Sequence, residues 1–309
     1  YFIPLVFLNV IILIIGVLRK ATISWITFVI LLPSILFAEL FIRWGEVERG
    51  EDGNSLRMCT YNVGHFSQGK DRNYDRSISG VNSFLNENKI QVAALQEFFI
   101  KDTAHIRQRF PGYPYYNVHL FKSKRGAGFG NITLSKFPIV NSGQIIFKGS
   151  TNLCIYTDIE HFGKRIRIYN THLESHSISF TAIIKRLRKS DSVTEDIYDV
   201  HDKLAVTFRK RSHQVDSIKR HAAATALPSI ICGDLNDTPM SYAYRNLTTE
   251  KKDSFRQAGR GFSSTYSVLW PLLRIDYILY PQPFWSLSHS TPRIGYSDHF
   301  PVISEIVIP

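Results

Sequence analysis

The sequence predicts an α+β domain of two packed β-sheets flanked by helices, preceded by two transmembrane helices. Three observations carry this prediction. Short apolar runs separated by turn signals recur from Leu56 to Val307, with few helical stretches among them. The chain from Tyr1 to Ile42 is apolar almost throughout. Several of the later apolar runs end in one palette of residues: acids, amides and histidines.

The elements follow in order. Tyr1 to Leu18 is apolar, Arg19 and Lys20 interrupt, and Ala21 to Ile42 is apolar again apart from Glu39. Each run approaches the roughly 20 residues that cross a bilayer as a helix. Two such runs in tandem, with no small-residue cleavage site after the second, argue against a core helix or a removed signal. Residues 1–44 are therefore expected to form a membrane hairpin. Arg19 and Lys20 at its turn would stay cytoplasmic, leaving the following domain on the extracytoplasmic side. Residues 45–55, polar and glycine-bearing, are the expected linker.

Beyond the linker, Leu56 to Val63 has the pattern of a strand. Ser77 to Asn88 has that of a helix, with Ile78, Val81, Phe84 and Leu85 at helical spacing. Ile90–Leu95 is an expected strand and Thr103–Phe110 a short helix stopped by Pro111. Further strands are expected at Asn131–Leu134, Gly143–Phe147, Leu153–Glu160, Arg165–Asn170, Ser229–Cys232, Asp276–Leu279 and Val302–Val307. A helical insert over about 176–226 interrupts them. Lys185, Arg186, Arg188 and Lys189 cluster in it, as do Arg209, Lys210 and Arg211, so its basic face is expected to rest on lipid headgroups or on a polyanionic substrate.

The formal net charge of +11 favours anionic partners: nucleic acid, anionic lipid or phosphate esters. Cys59, Cys154 and Cys232 sit in separate apolar runs. Their odd number and scattered spacing give neither a disulfide framework nor a zinc site, so buried thiols are expected.

The chemistry lies at the strand ends. Asn62 closes Thr60-Tyr61-Asn62-Val63, and Glu97 follows Leu95-Gln96. Asn170, Thr171 and His172 end another run, and Asp234, Asn236 and Asp237 follow Ile230-Ile231-Cys232. Arg274-Ile275-Asp276 and Ser297-Asp298-His299 complete the set. Singly, each has an ordinary explanation as a cap or an Asx-turn. Together they converge, because neighbouring strands lie about 5 Å apart. Oxygen ligands such as Glu97 and Asp298, with the Asn62 amide, suit Mg²⁺, with Mn²⁺ as a possible substitute, rather than zinc. A hard cation, carboxylates and histidines suit attack by activated water on phosphorus.

The series TYNV, LQE, GNITLSKFPI, YNTHL, GDLNDTP, RIDYIL and SDHFPV resembles the endonuclease/exonuclease/phosphatase superfamily, in the family's order, from about Leu56 to the C-terminus. The resemblance implies a deoxyribonuclease I-like, four-layer α/β/β/α sandwich over 56–309 with its site at one end. It further implies that Glu97 is the principal Mg²⁺ ligand, with Asn62 and Asp298 close to the metal. Asp234 would orient or deprotonate the attacking water, Asn236 would hold the phosphate, His172 would lie on the leaving-group side, and Asp276 and His299 would form an acid–histidine pair. Asn170, Arg274 and Trp270, which lie next to these groups, are the candidate substrate-binding residues. The inositol polyphosphate 5-phosphatases carry Trp-Cys-Asp-Arg where this chain has Leu273-Arg274-Ile275-Asp276, which argues against that branch.

The apolar N-terminus and the helical insert resemble membrane-anchored bacterial members, implying a bacterial inner membrane location. The function expected is that of a membrane-anchored, Mg²⁺-dependent nuclease hydrolysing phosphodiester bonds. The alternative is a lipid-directed phosphodiesterase or phosphatase, sphingomyelinase-like or phosphoinositide-like, with the apolar Val268–Leu273 stretch dipping into a bilayer. A scaffold with a dead site is disfavoured, because no carrier of the chemistry is missing. Nothing in the sequence points to an obligate protein partner.

Overall fold

The computed structural model describes residues 2–44, 53–68, 72–122, 127–175, 193–271 and 273–309. The first apolar stretch folds as two helices, α1 (Phe2–Leu18) and α2 (Ile23–Ile35), turned at Lys20. They hold 17 and 13 residues, so they rise about 26 and 20 Å, against a hydrocarbon core of about 30 Å. No described helix is long and apolar enough to cross a membrane, so the two transmembrane helices expected over 1–44 find no support in the described residues. Hydropathy alone misses where the second run stops being helix. Pro33 gives the last turn of α2 no N–H. The chain then passes through a 3₁₀ turn, Ala38–Leu40, into a short strand, β1 (Ile42–Arg43). The apolar side chains of both helices nevertheless point outward: Phe7, Leu18, Trp25 and Ile35 are all more than half exposed. The expected linker falls largely on residues outside those described.

Two six-stranded sheets follow. In chain order the elements are β2 (Ser55–Asn62), α3 (Tyr74–Glu87), β3 (Val92–Ile100), α4 (Ile106–Arg109), β4 (Tyr115–Lys122) and β5 (Gly128–Ser135). Next come β6 (Ile139–Ile146), β7 (Leu153–His161), β8 (Lys164–His172), α5 (Val193–Ala223), β9 (Ser229–Asp234) and α6 (Tyr242–Leu247). The last are β10 (Lys251–Asp253), α7 (Ser254–Ala258), β11 (Gly261–Phe262), β12 (Asp276–Pro281), β13 (Trp285–Ser290) and β14 (Val302–Val307). One sheet has the order β13-β14-β2-β3-β5-β4 and the other β10-β12-β9-β8-β7-β6. Each contains one parallel pair, β2 with β3 and β8 with β9.

Strand alternation sorts the side chains into layers. Leu56 and Met58 of β2 face the other sheet and pack with Ile166, Ile168, Ile230 and Ile278. Cys59 and Tyr61 face the opposite way, onto Ile78, Val81 and Leu85 of α3. On the far side of the second sheet, Tyr169, Ile231 and Leu279 meet Val215 and Ile218 of α5 and Leu247 of α6. The result is the expected helix/sheet/sheet/helix sandwich. The three cysteines are free and buried.

Of the helical insert, the structure describes α5 onward. The cluster Lys185, Arg186, Arg188 and Lys189 lies outside the described residues. Within α5 the expected basic face is only partly one. Arg211 is buried at 1 % exposure, and Lys210 pairs with Glu174 at 2.8 Å.

The N-terminal hairpin is fastened to the sandwich. β1 pairs antiparallel with β11, Ile42 opposite Phe262, and Arg274 Nη2 donates to the Leu40 carbonyl at 3.0 Å.

Candidate active site

Register alone places three of the expected groups side by side. His172 at the end of β8 is paired with Asp234 at the end of β9, and Asp234 is paired with Asp276 at the start of β12. Apolar strand interiors thus deliver an imidazole and two carboxylates to one level of one sheet.

The other sheet supplies Asn62 and Glu97. Asn62 ends β2, and its Nδ2 donates to Glu97 Oε1 at 3.1 Å and to Asp234 Oδ2 at 3.0 Å, linking the two sheets. Glu97 reaches this position through a bulge in β3 between Leu95 and Phe98, where its φ is 50°. A bulge re-aims a side chain, and a positive φ in a non-glycine residue is strained. The strain sits where a carboxylate must be turned out of its sheet.

His299 completes the centre. Its Nδ1 lies 2.9 Å from Asp276 Oδ2 and its Nε2 3.8 Å from Asp234 Oδ2. Burial alone would discharge this imidazole, but Asp276 and Asp234 outweigh it and raise its pKa to about 10. Burial, and then the charge of Asp276, push Asp234 up to about 6 against the pull of His299 and His172. Glu97 goes the other way. Burial raises it, yet His172, His65 and Asn62 together hold it below the ordinary carboxylate value. The centre thus pairs an imidazolium with a carboxylate able to accept a proton near neutrality.

The remaining expected residues fall in several places. Asp298 lies beside His299 and accepts from Ser297 Oγ at 3.2 Å. Asn236 uses one amide hydrogen on the Leu173 carbonyl at 2.9 Å. Its backbone has a φ of 50°, and its N–H caps Asp234 Oδ1 at 2.8 Å. Trp270 is 43 % exposed, with the Arg293 guanidinium 4.0 Å above its ring.

Two expectations need correction. Asn170 is one pleat below His172 and fully buried between the sheets. Its amide is taken by Gln96 Nε2 at 2.7 Å and the Ile132 carbonyl at 2.9 Å, so it cannot meet substrate. Arg274 is also buried, at 2 % exposure. It pairs with Asp253 at 2.6 Å within a cage of Tyr244, Phe255 and Tyr277, away from the mouth of the site.

Four residues had no distinguishing signal in the sequence. His65 Nδ1 approaches Glu97 Oε2 at 3.2 Å. Gln68, with its amide turned to donate, meets Asp298 Oδ1 at 2.8 Å. Tyr266 bridges to His299 and lays its ring against that imidazole at 5.3 Å. Its phenol pKa is raised by burial and then by Asp298, Asp234 and Glu97. Arg211 of α5 donates from Nη1 to the Glu174 and Asn236 carbonyls, each at 2.9 Å, and pairs with Asp237 at 3.1 Å, fastening the loops after β8 and β9 together. Its position, far along a helix, could not be tied to those loops by local pattern.

The donor set fits a divalent cation. His172 Nε2 is buried without a hydrogen-bond partner among the described residues, 3.7 Å from Glu97 Oε1 and 3.8 Å from Asp234 Oδ2. Such a gap among carboxylates is the setting an oxygen-seeking cation completes. Asp234, Asp276 and His299 also lie close enough to ligate one ion. There, however, His299 Nδ1 is already committed to Asp276, so that trio is better described as a proton-handling group. Glu97 and Asn62 face this group from the other sheet. In the present arrangement Asn62 turns its nitrogen to the carboxylates, while its oxygen accepts from the Gly64 N–H at 3.0 Å.

Comparison with known proteins agrees with this geometry. A family model described as endonuclease/exonuclease/phosphatase matches residues 59–299. No curated protein sequence matches the chain. Among solved structures, an endonuclease/exonuclease/phosphatase from Beutenbergia cavernae superposes with a TM-score of 0.63 at 17 % identity, over 82 % of this chain and 72 % of that one. A mannosyl-6-phosphatase from Bacteroides thetaiotaomicron gives 0.57 at 17 % identity, over 82 % of this chain and all (100 %) of that one. The human Nocturnin catalytic domain with bound sulfate gives 0.59 at 15 % identity, over 84 % and 97 %. At such identities the structural likeness speaks for the fold, and the sequence model speaks for descent. The chain belongs to the endonuclease/exonuclease/phosphatase family, a family of phosphoesterase hydrolases.

Proposed function

We propose that the chain is a Mg²⁺-dependent phosphodiesterase acting on nucleic acid, with Mn²⁺ able to substitute. The observation that carries this is the convergence of Glu97, Asn62, His172, Asp234 and His299 from two sheets within hydrogen-bonding or ion-pairing reach. Glu97, Asn62 and Asp298 would hold the cation, which when bound neutralises non-bridging phosphate oxygens. Asp234 orients water and takes its proton as the oxygen attacks phosphorus. His299, kept cationic by Asp276, faces the charge that develops on the phosphoryl group. His172 lies on the side from which the leaving oxygen departs with a proton. The second amide hydrogen of Asn236 is left for a phosphate oxygen. The charge of +11 favours a polyanionic substrate.

The outward apolar faces of α1 and α2 support attachment to a membrane, by embedding rather than by two complete spans. A bacterial inner membrane with the catalytic domain on its extracytoplasmic side is the location proposed. A lipid-directed phosphodiesterase or phosphatase is the second reading. It is favoured by Val268 and Trp270, exposed at 55 % and 43 %, on the loop that follows Tyr266.

The experiment is Mg²⁺-dependent hydrolysis by the detergent-solubilised chain of plasmid DNA, single-stranded RNA, phospholipid vesicles and a sugar phosphate monoester. Asp234→Ala and His299→Ala proteins serve as controls. Nucleic-acid cleavage lost in both variants is the expected result. Headgroup release with intact DNA would support the second reading, and turnover of the monoester alone would refute both.

A further inference from the structure

Both oxygens of Glu97 have partners on the β2 side: Oε1 accepts from Asn62 Nδ2 at 3.1 Å, and Oε2 lies 3.2 Å from His65 Nδ1 as an ion pair. The second contact depends on an unusual backbone. Gly64, His65 and Phe66 follow one another with φ of 52°, 56° and 57°. For the two non-glycine residues this left-handed region costs about 1–2 kcal/mol each. The surrounding fold sustains it. Phe66 is fully buried against the rings of Tyr74 and Phe98, at 5.9 and 5.6 Å. Val63 N–H donates to the Gln96 carbonyl at 3.0 Å, and Gly64 N–H to Asn62 Oδ1 at 3.0 Å.

The side chain of His65 remains 36 % exposed, so its imidazole is not a core group that the strained turn serves to bury. What the turn achieves is orientation: it sets the ring edge-on to Phe129 at 5.7 Å and aims Nδ1 at Glu97. A right-handed turn would carry the imidazole elsewhere and leave Oε2 unheld.

We propose that His65 is a positioning residue that fixes the Glu97 carboxylate for its cation, an inference that rests on the cation-dependent function proposed above. His65 Nδ1 stands against Oε2 while Asn62 Nδ2 donates to Oε1. Each oxygen is thereby fixed, with lone-pair capacity remaining for the ion. Outer partners of this kind are worth about 10–100-fold in metal affinity.

The test is Mn²⁺ binding to the full chain in detergent, without substrate, by calorimetry or by the spin-resonance signal of free Mn²⁺. His65→Gly adopts the positive φ without strain and removes the donor; its melting temperature should stay level or rise while Mn²⁺ affinity falls about 10–100-fold. His65→Asn tolerates the same backbone and restores an N–H donor, and should recover most of the affinity. Equal Mn²⁺ affinity in wild type and His65→Gly would overturn the proposal alone. So would failure of His65→Asn to bind better than His65→Gly. A wild-type chain that binds no Mn²⁺ would overturn the cation-dependent function and this proposal with it.

Discussion

One imidazole joins two carboxylates on neighbouring strands: His299 presents Nδ1 to Asp276 at 2.9 Å and Nε2 to Asp234 at 3.8 Å. The tautomer and the charge of His299 are both set by this arrangement. Asp276→Asn would keep the shape but remove the charge, and an amide can also donate to Nδ1 and impose the wrong tautomer. Turnover should fall by up to about 10⁴-fold, the loss seen when an orienting carboxylate becomes an amide. Melting temperature and Mn²⁺ affinity should change little by comparison. Steady-state kinetics beside a Mn²⁺ titration checks this, and unchanged turnover would remove Asp276 from the mechanism.

Arg211 ties α5 to both catalytic loops at once. Arg211→Lys keeps the charge near Asp237 but cannot span the Glu174 and Asn236 carbonyls with a planar fork. Misplacement of catalytic loops by about 1 Å can cost about 100-fold in rate. The expected outcome is a fall in kcat of at least about tenfold, with KM moving less. A kcat equal to wild type would show that the loops hold their places without this fork.

Arg274 gives the opposite pattern. Arg274→Met should leave Asp253 buried and unpaired, a loss of about 3–5 kcal/mol. KM of the folded protein should stay at its wild-type value. Changing Asp253→Leu in the same chain should recover part of the stability. Denaturant melts and kinetics of the single and double variants decide it. A raised KM without loss of stability would return Arg274 to the substrate site.

His289 introduces a pH dependence remote from the catalytic groups. Its Nδ1 meets Ser254 Oγ at 2.9 Å, and Nε2 has no partner among the described residues. Burial lowers its pKa from 6.5 to about 4, with Asp253 opposing and Arg274 assisting. The unfolded chain therefore takes up this proton first, and stability falls as pH drops through the window from 6.5 to about 4. At about pH 5 the loss is about 2 kcal/mol at most. His289→Gln should flatten this part of the profile, as seen in melting temperatures of the two proteins at matched pH. Parallel profiles would assign the acid sensitivity to other groups.

The catalytic palette was legible because buried strands announce themselves by apolar runs, and polar residues at their ends have nowhere to go but the sheet rim. Depth was less legible. Asn170 and His172 lie on the same face of β8, and only the partner sheet decides that the first is covered and the second reaches the site. Arg274 stands two residues before Asp276, yet its cage is assembled from Tyr244, Phe255 and Tyr277, which no local pattern connects to it. The edge strands β4 and β13 escaped notice because their side chains are half-covered, as the mixed Trp285-Ser286-Leu287-Ser288 run illustrates. The apolar N-terminus was legible as hydropathy but not as length, since Pro33 and the strand pairing of Ile42 are what end it.

That strand pairing has a mechanical meaning. Ile42 is laddered to Phe262 and the Leu40 carbonyl is held by Arg274, so the segment after the apolar hairpin is built into the domain. The chain that leaves α2 is clamped at Leu40 and Ile42 where it enters the sandwich. The entry point of the N-terminal segment is therefore a fixed feature of the domain, set beside β11 and the Arg274 cage.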